Sequence, residues 1–347
     1  MKLLYINKIE TTAGWGLETF LNQSLIENEI ETICVDYQKN AYALSKNLVG
    51  ITENFDAVLL ERGCGYLIPL HILKAIKRPK ILLFTELVAR NVNQHYLLNS
   101  GIFEHIFFRS LPCMEWVANK GWLNQHQMSL FLSAIDPNFH KPIEGITKDI
   151  DILFVGTLLP RRQKIISELA NSFSVTTCSA FGKDMVNLIN RAKIVLNIHG
   201  EDFLDTETRV YETLACRGFL LTETLSSENP FQDGVHLVET KNIKDLKEKI
   251  AYYLDNPIKR ETIAKAGYQE VIQHHTFRKR AEQIQQMIGS YLPSLIPAND
   301  PIAIRRLQIL TTLENSLQFR DATFFHARRI LSYYKQSLIK KINYHKI

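Results

Sequence analysis

The feature that most limits how this 347-residue chain can fold is a repeated alternation of short, almost unbroken apolar runs with longer segments of helical spacing. In the first half LLYI (3–6) precedes a helical pattern over 17–27, TICV (32–35) one over 41–49, and AVLL (57–60) one over 67–77. ILLF (81–84) and HIFF (105–108) follow, then a helical stretch over 112–119 and SLFL (129–132). Runs that do not alternate apolar with polar residues predict strands buried on both faces, in a parallel sheet covered by helices. The expected architecture is α/β, with an open doubly wound sheet.

The alternation pauses between Ala134 and Asp149, where Pro137, Pro142 and Gly145 interrupt any periodicity, and this segment reads as a linker. It then restarts with ILFVG (152–156), SVTT (174–177), IVLNI (194–198), FLLT (219–222) and HLV (236–238) as strands. The helices fall over 160–170, 183–190, 207–216, 243–254, 258–273 and 277–291. Three prolines between Pro293 and Pro301 make a second break. The predicted organisation is therefore a Rossmann-like domain over 1–133, a linker over 134–149, a second Rossmann-like domain over 150–292 and a helical tail over 293–347. Doubly wound sheets bind ligands beyond the carboxyl ends of their strands, so two facing units place a ligand between them.

Charge narrows the partners. The chain has 41 Lys and Arg against 36 Asp and Glu, a net +5, but residues 301–347 alone carry +7 and residues 1–300 carry −2. That distribution argues against a basic nucleic-acid-binding body, and no nucleic-acid partner is expected. Arg305, Arg306, Arg328, Arg329, Lys340 and Lys341 in the tail suit either a membrane surface or a homo-oligomer contact. Five widely spaced cysteines without a CxxC pair argue against a disulfide framework and a thiolate metal site. With no signal-peptide core and no run of about 20 apolar residues, the expected location is cytoplasmic, with peripheral attachment at the inner membrane face as an extension.

Three segments could carry chemistry. In ETTAGWGLETF, Gly14 and Gly16 lead into a helix, where they either let the backbone approach phosphate or sugar oxygens at the helix N-terminus or form a structural turn. Thr19 stands where a G-x-G-x-x-G pattern needs its third glycine. In ILFVGTLLPRRQK a strand ends at Gly156, and Arg161 and Arg162 follow at a helix start, either as a diphosphate clamp or as two solvated arginines. The nearby Asp149-Ile150-Asp151 precedes its strand and is discounted as a metal site. In IVLNIHGEDFLDTETRVYETLACRGF the strand delivers His199, Gly200 and Glu201 to its carboxyl end, and Thr206 or Thr208 precedes a helix carrying Arg209 and Glu212. The three-residue spacing puts a cation suited to phosphate and a carboxylate suited to a ribose diol on one helix face, unless the two form only a surface ion pair.

The run RVYETLACRGFLLT, followed by NPFQDGVHLV and KDLKEKIAYYLDNPIKRETIAKAGYQEVIQHHTFRKRAEQI, resembles the C-terminal domain of GT-B glycosyltransferases. The likeness is to the CgeB-like, spore-maturation group of the group-1 superfamily and covers about residues 150–290. It implies a GT-B fold and a donor held mainly by the second domain. Glu212 matches the group's ribose-binding glutamate and Arg209 the arginine before it. Gly156, Arg161 and Arg162 fall where relatives bind the diphosphate, and Gly14 and Gly16 correspond to the first-domain glycine loop. Leu204 occupies the position of the first glutamate of the superfamily's E-x7-E motif, which leaves Glu201, Asp202 and Asp205 as neighbours that could meet the sugar hydroxyls.

Glu86, after the strand 81–84, is the candidate base for an inverting reaction, with His95 behind it, and His199 is a candidate for the donor or catalytic site. His274 and His275 are adjacent on a helix and are assigned a structural role. The resulting expectation is a glycosyltransferase of the hexosyl type that moves a sugar from a UDP-, GDP- or dTDP-sugar to a glycan, protein or lipid-linked acceptor. No cofactor and no metal are required. An inactive nucleotide-sugar-binding protein and a GT-B epimerase are the alternatives.

Overall fold

A computed structural model describes residues 1–7, 16–36, 48, 51, 54–61, 70–200 and 204–291. Gly14, Glu201, Asp202, the helical pattern over 41–47, Cys64 and the tail lie outside the described residues.

The first domain is a parallel six-stranded sheet in the order β2-β1-β3-β4-β5-β6. Its strands are β1 (Lys2–Asn7), β2 (Glu31–Asp36), β3 (Ala57–Glu61), β4 (Lys80–Phe84), β5 (His105–Phe108) and β6 (Met128–Leu130). Helices α1 (Leu17–Glu27), α2 (Leu70–Ala75), α3 (His95–Leu98) and α4 (Leu111–Asn119) connect them. Every residue of β3, β4 and β5 is buried, because alternate side chains enter two different cores. Leu4, Ile6, Val58, Leu60 and Leu82 pack on one face. Leu3, Tyr5, Leu59, Ile81 and Leu83 pack on the other. That two-sided burial is why the runs read as continuous rather than alternating.

The second domain repeats the plan with a parallel five-stranded sheet in the order β11-β10-β9-β7-β8. The strands are β7 (Ile150–Val155), β8 (Val175–Cys178), β9 (Ala192–Asn197), β10 (Leu220–Glu223) and β11 (Val238–Thr240). Helices α5 (Pro160–Ala170), α6 (Gly182–Arg191), α7 (Thr208–Ala215), α8 (Ile243–Asp255) and α9 (Pro257–His274) complete it. In both sheets the strand order reverses beside the first strand, between β1 and β3 and between β7 and β9. Such reversals splay the connecting loops apart and open a crevice at the carboxyl ends. The chain therefore carries two crevices, one per domain.

The last described helix, α10 (Phe277–Gly289), does not stay with the domain that sequence order assigns it. Phe277, Ala281, Ile284 and Ile288 are buried among Leu3, Tyr5, Phe20 and Leu25 of the first domain. Its register is held by the interdomain segment: Ile135 N–H donates to His275 O at 3.0 Å, and Phe277 N–H donates to Ile135 O at 3.0 Å. Arg280 Nε donates to Leu132 O at 2.7 Å, and Gln283 Nε2 to Leu130 O at 2.7 Å. The domains are thus joined by two chain crossings, one outgoing and one returning. Helical spacing alone gives no sign of which domain such a helix covers.

Helix α7 is backed closely by α9. A Cβ on Gly267 of α9 would collide with His236 O and lie 2.7 Å from Leu214 Cδ2 of α7, so the approach requires glycine there. No helix among the described residues is long and apolar enough to cross a membrane.

Candidate active site

Between the domains lies a cleft of about 470 Å³. The first domain lines it with Gly16 and Leu17 at the start of α1, Phe20 and Arg109, and the interdomain segment adds Ser133, Phe139 and His140. The second domain contributes Phe181, Gly182 and Met185 from α6, then Asp205, Glu207, Thr208, Arg209 and Glu212 around α7. Gly16 caps α1 with φ +121°, a conformation that favours glycine.

Arg209 and Glu212 share one face of α7, as their spacing requires. Arg209 Nε lies 3.7 Å from Glu212 Oε2, an ion pair beyond hydrogen-bond length, with side-chain exposures of 16% and 18%. Arg209 Nε itself is buried without a hydrogen-bond partner. Burial pushes the Glu212 carboxyl above its ordinary value, and the attraction of Arg209 only partly opposes this. Glu212 Oε1 also lies 3.9 Å from His140 Nε2. Burial lowers the His140 imidazole to about 4, so the ring faces Glu212 in its neutral form at neutral pH.

Gly156 takes part indirectly. It ends β7 at φ +153°, and a Cβ there would stand 3.3 Å from Arg209 Nη1 and 3.5 Å from the Phe154 ring. The glycine therefore makes room for the Arg209 guanidinium beside the strand end. Thr208 lines the cleft with its Oγ1 3.4 Å from Ser133 Oγ across the domain boundary.

The two arginines after Gly156 are placed differently from the expected diphosphate clamp. Arg161 makes a bidentate pair with Glu223 at 2.6 and 2.8 Å and donates to His199 O at 3.0 Å. Arg162 is buried, donating from Nε to Ile198 O (2.7 Å), from Nη1 to Thr157 O (3.3 Å) and from Nη2 to Glu207 Oε1 (2.7 Å). Neither lines the cleft. Their donors tie the β9 and β10 ends to α5, which is structural work. Truncating Arg162 to alanine strips one carboxylate and two carbonyls of their partner, so its expected cost is about 3 kcal/mol in chemical denaturation. A clamp role predicts instead an intact fold with lost nucleotide affinity.

The catalytic candidates are also displaced. His199 is buried, its Nε2 donating to Thr224 O at 2.8 Å and its backbone N–H to Glu223 Oε2 at 2.7 Å, and it does not line the cleft. Glu86 follows β4 but is not a lining residue either. His95 packs against Trp116 and Trp122, with ring centroids 4.9 and 5.3 Å away, and its Nε2 bonds Val88 O at 2.8 Å. His275 is enclosed by Tyr211 and Phe231, in keeping with a structural role. Asp149 and Asp151 engage Arg191 and Lys193 at 2.6 Å each. Among the described residues no group of three or more His, Cys, Asp or Glu is arranged to hold a metal.

Residues the motifs did not single out complete the site. Arg109 follows β5 directly, as Glu86 lies just beyond the end of β4. Its Nη2 meets Asp205 Oδ1 at 2.9 Å and Thr206 O at 3.3 Å, bridging the domains. His140 lies in the segment read as a linker, where Asp136 Oδ1 accepts from the N–H groups of Asn138 (2.7 Å) and Phe139 (3.0 Å) and turns the chain toward the cleft. No periodicity marks such a turn as part of a site.

Two facing Rossmann-like domains with a cleft at their strand ends and a returning C-terminal helix define the GT-B class. Residues 157–286 match the family model described as glycosyl transferase-like. The spore protein CgeB of Bacillus subtilis (strain 168) is 29% identical over 104 residues, 26% of this chain and 32% of that protein. An uncharacterized protein, R358, of Acanthamoeba polyphaga mimivirus is 40% identical over 80 residues, 23% of this chain and 27% of that one. The matches thus span about a quarter to a third of these curated relatives. Among solved structures, Anabaena HepE in complex with UDP and glucose superposes with a TM-score of 0.61 at 13% identity, over 84% of this chain and all of that one. Sucrose-phosphate synthase of Thermosynechococcus elongatus does so with 0.60 at 10% identity, over 85% and all. The chain therefore has the GT-B fold, and its segment 157–286 is similar to the glycosyl transferase-like family and in part to CgeB.

Proposed function

We propose that this protein is a glycosyltransferase that takes a sugar from a nucleoside-diphosphate donor and passes it to a hydroxyl-bearing acceptor, without an obligatory metal. The observation that carries the reading is the placement of Arg209 and Glu212. They lie on one face of the second-domain helix α7, half enclosed, in a cleft whose opposite wall belongs to the first domain. A carboxylate there can accept from both hydroxyls of a ribose, and the guanidinium has donors to spare for phosphate oxygens. The α1 and α7 N-termini bring further backbone N–H groups to the same cleft. Fixed donors aimed at a departing diphosphate stabilise the charge that develops there, which is electrostatic catalysis. The enclosing domains would keep water from the activated sugar. UDP-, GDP- and dTDP-linked hexoses are the donor candidates, and glycans, proteins and lipid-linked sugars the acceptor candidates.

A thermal-shift screen with UDP, GDP, dTDP and CMP tests the site. A ligand that binds only the folded protein at a hundred times its Kd stabilises it by about 2.7 kcal/mol, a shift of several degrees. One nucleoside diphosphate is expected to raise Tm in this way, and the corresponding sugar nucleotide to lose its sugar when an acceptor is supplied. No shift with any of the four overturns the reading.

A further inference from the structure

The cleft presents a shortage of available cation. Arg161 and Arg162, which follow the strand where a phosphate clamp would be sought, have their guanidiniums committed to Glu223, Glu207 and backbone carbonyls. Each carboxylate lining the cleft already has a basic partner: Glu212 has Arg209, Glu207 has Arg162 and Asp205 has Arg109. A diphosphate entering this site adds at least two negative charges, and Arg209 must share itself with Glu212. Arg109 is the second arginine that lines the cleft. A guanidinium has five donor hydrogens, yet both described bonds of Arg109 leave from Nη2, so Nε and Nη1 have donors to offer. It also stands one residue beyond β5, at the carboxyl end of a parallel strand.

Resting on the reading of the cleft as a nucleotide-sugar site, we propose that Arg109, supplied by the first domain, binds the donor diphosphate opposite Arg209, with Asp205 as the counter-ion that orients it. The arrangement divides the phosphate-binding charge between the domains. One guanidinium comes from each wall, so the diphosphate itself bridges them. Asp205 holds Arg109 extended across the cleft, which lowers the entropy lost when the side chain meets its ligand. The Asp205 contact uses one edge of the guanidinium and leaves the remaining edge for phosphate oxygens.

The test compares wild type with R109A, R109K and D205N, each first checked for an unchanged far-ultraviolet spectrum. Whichever of UDP, GDP or dTDP binds is titrated into all four, alongside its nucleoside. R109A is expected to lose about tenfold or more of the diphosphate affinity, the scale of one lost charge-assisted contact, while nucleoside affinity changes less than about twofold. R109K should fall between, because an ammonium keeps the charge and loses the fork. D205N leaves an amide oxygen that can still accept from Arg109 and hold it in place, and removes the charge that competes with phosphate, so it is expected to raise diphosphate affinity relative to nucleoside affinity. Unchanged diphosphate affinity in R109A overturns the proposal. So does a D205N variant that loses diphosphate and nucleoside together, as a mere strut between domains would. Failure of wild type to bind any nucleotide overturns the reading of the cleft and this assignment with it, whereas binding that survives R109A overturns this assignment alone.

Discussion

Glu212→Ala is expected to lower nucleoside-diphosphate affinity by about a hundredfold. The carboxylate is held in the cleft by α7, and two hydroxyls of a ribose donating to it are worth about 1.5 kcal/mol or more each, since the acceptor is charged. Isothermal titration measures the loss, and an affinity within twofold of wild type removes Glu212 from the site. Glu212→Gln separates binding from folding. The folded protein holds the Glu212 proton more tightly than the unfolded chain does, because burial raises this carboxyl above 4.5. Stability linked to this group is therefore complete below that value and is lost as pH rises through the raised one. The Gln variant lacks this loss, so its stability relative to wild type should grow as pH increases through that window. Subtracting the two curves isolates Glu212 from His105, His140 and His275, which burial lowers to about 4, 4 and 3 and which act with the opposite sign. Nucleotide affinity of the wild type runs against stability. It weakens as acid protonates Glu212, at a higher pH than an ordinary glutamate would show.

Ile284→Asp should abolish or nearly abolish folding of the first domain, although residue 284 follows the whole of the second in sequence. Ile284 has no exposed surface and sits in one cluster with Leu3, Tyr5 and Phe20. An unpaired carboxylate there costs about 4 kcal/mol or more, a large part of a typical stability of 5–15 kcal/mol, whereas Ile284→Val costs about 1 kcal/mol. All three tryptophans, Trp15, Trp116 and Trp122, precede residue 134. Their fluorescence during urea denaturation reports the first domain directly. An Ile284→Asp protein whose tryptophan transition matched wild type would show that α10 does not support that domain.

Much of the architecture was legible because the central strands are buried on both faces and connecting helices such as α6 and α7 have an amphipathic period. The eleven described strands fall on the eleven quoted runs, with ends displaced by at most two residues, and α1 and α5 fall on 17–27 and 160–170. The pair Arg209 and Glu212 was legible for a related reason: two residues three apart on one helix share a face wherever that helix goes. His140 and Arg109 were not, since one lies in an aperiodic turn and the other is a lone arginine after a strand. The CgeB-like resemblance drew attention to Gly156, which makes space for the Arg209 guanidinium beside the end of β7.

Local pattern thus determined the two parallel sheets, the crevices at their strand ends and the helix face that carries the cation and the carboxylate. Only the tertiary structure decided which arginines reach the cleft. Arg161 and Arg162 begin a helix after a strand, as a phosphate clamp would, but Glu223 and Glu207 fold back from distant positions and take up their donors. Arg109 carries no motif, yet β5 delivers it opposite α7 and Asp205 draws it across the domain boundary. Periodicity is a property of neighbours along the chain and survives reading one residue at a time. The partner of a charge is a property of space, set by the packing of segments that the sequence keeps far apart.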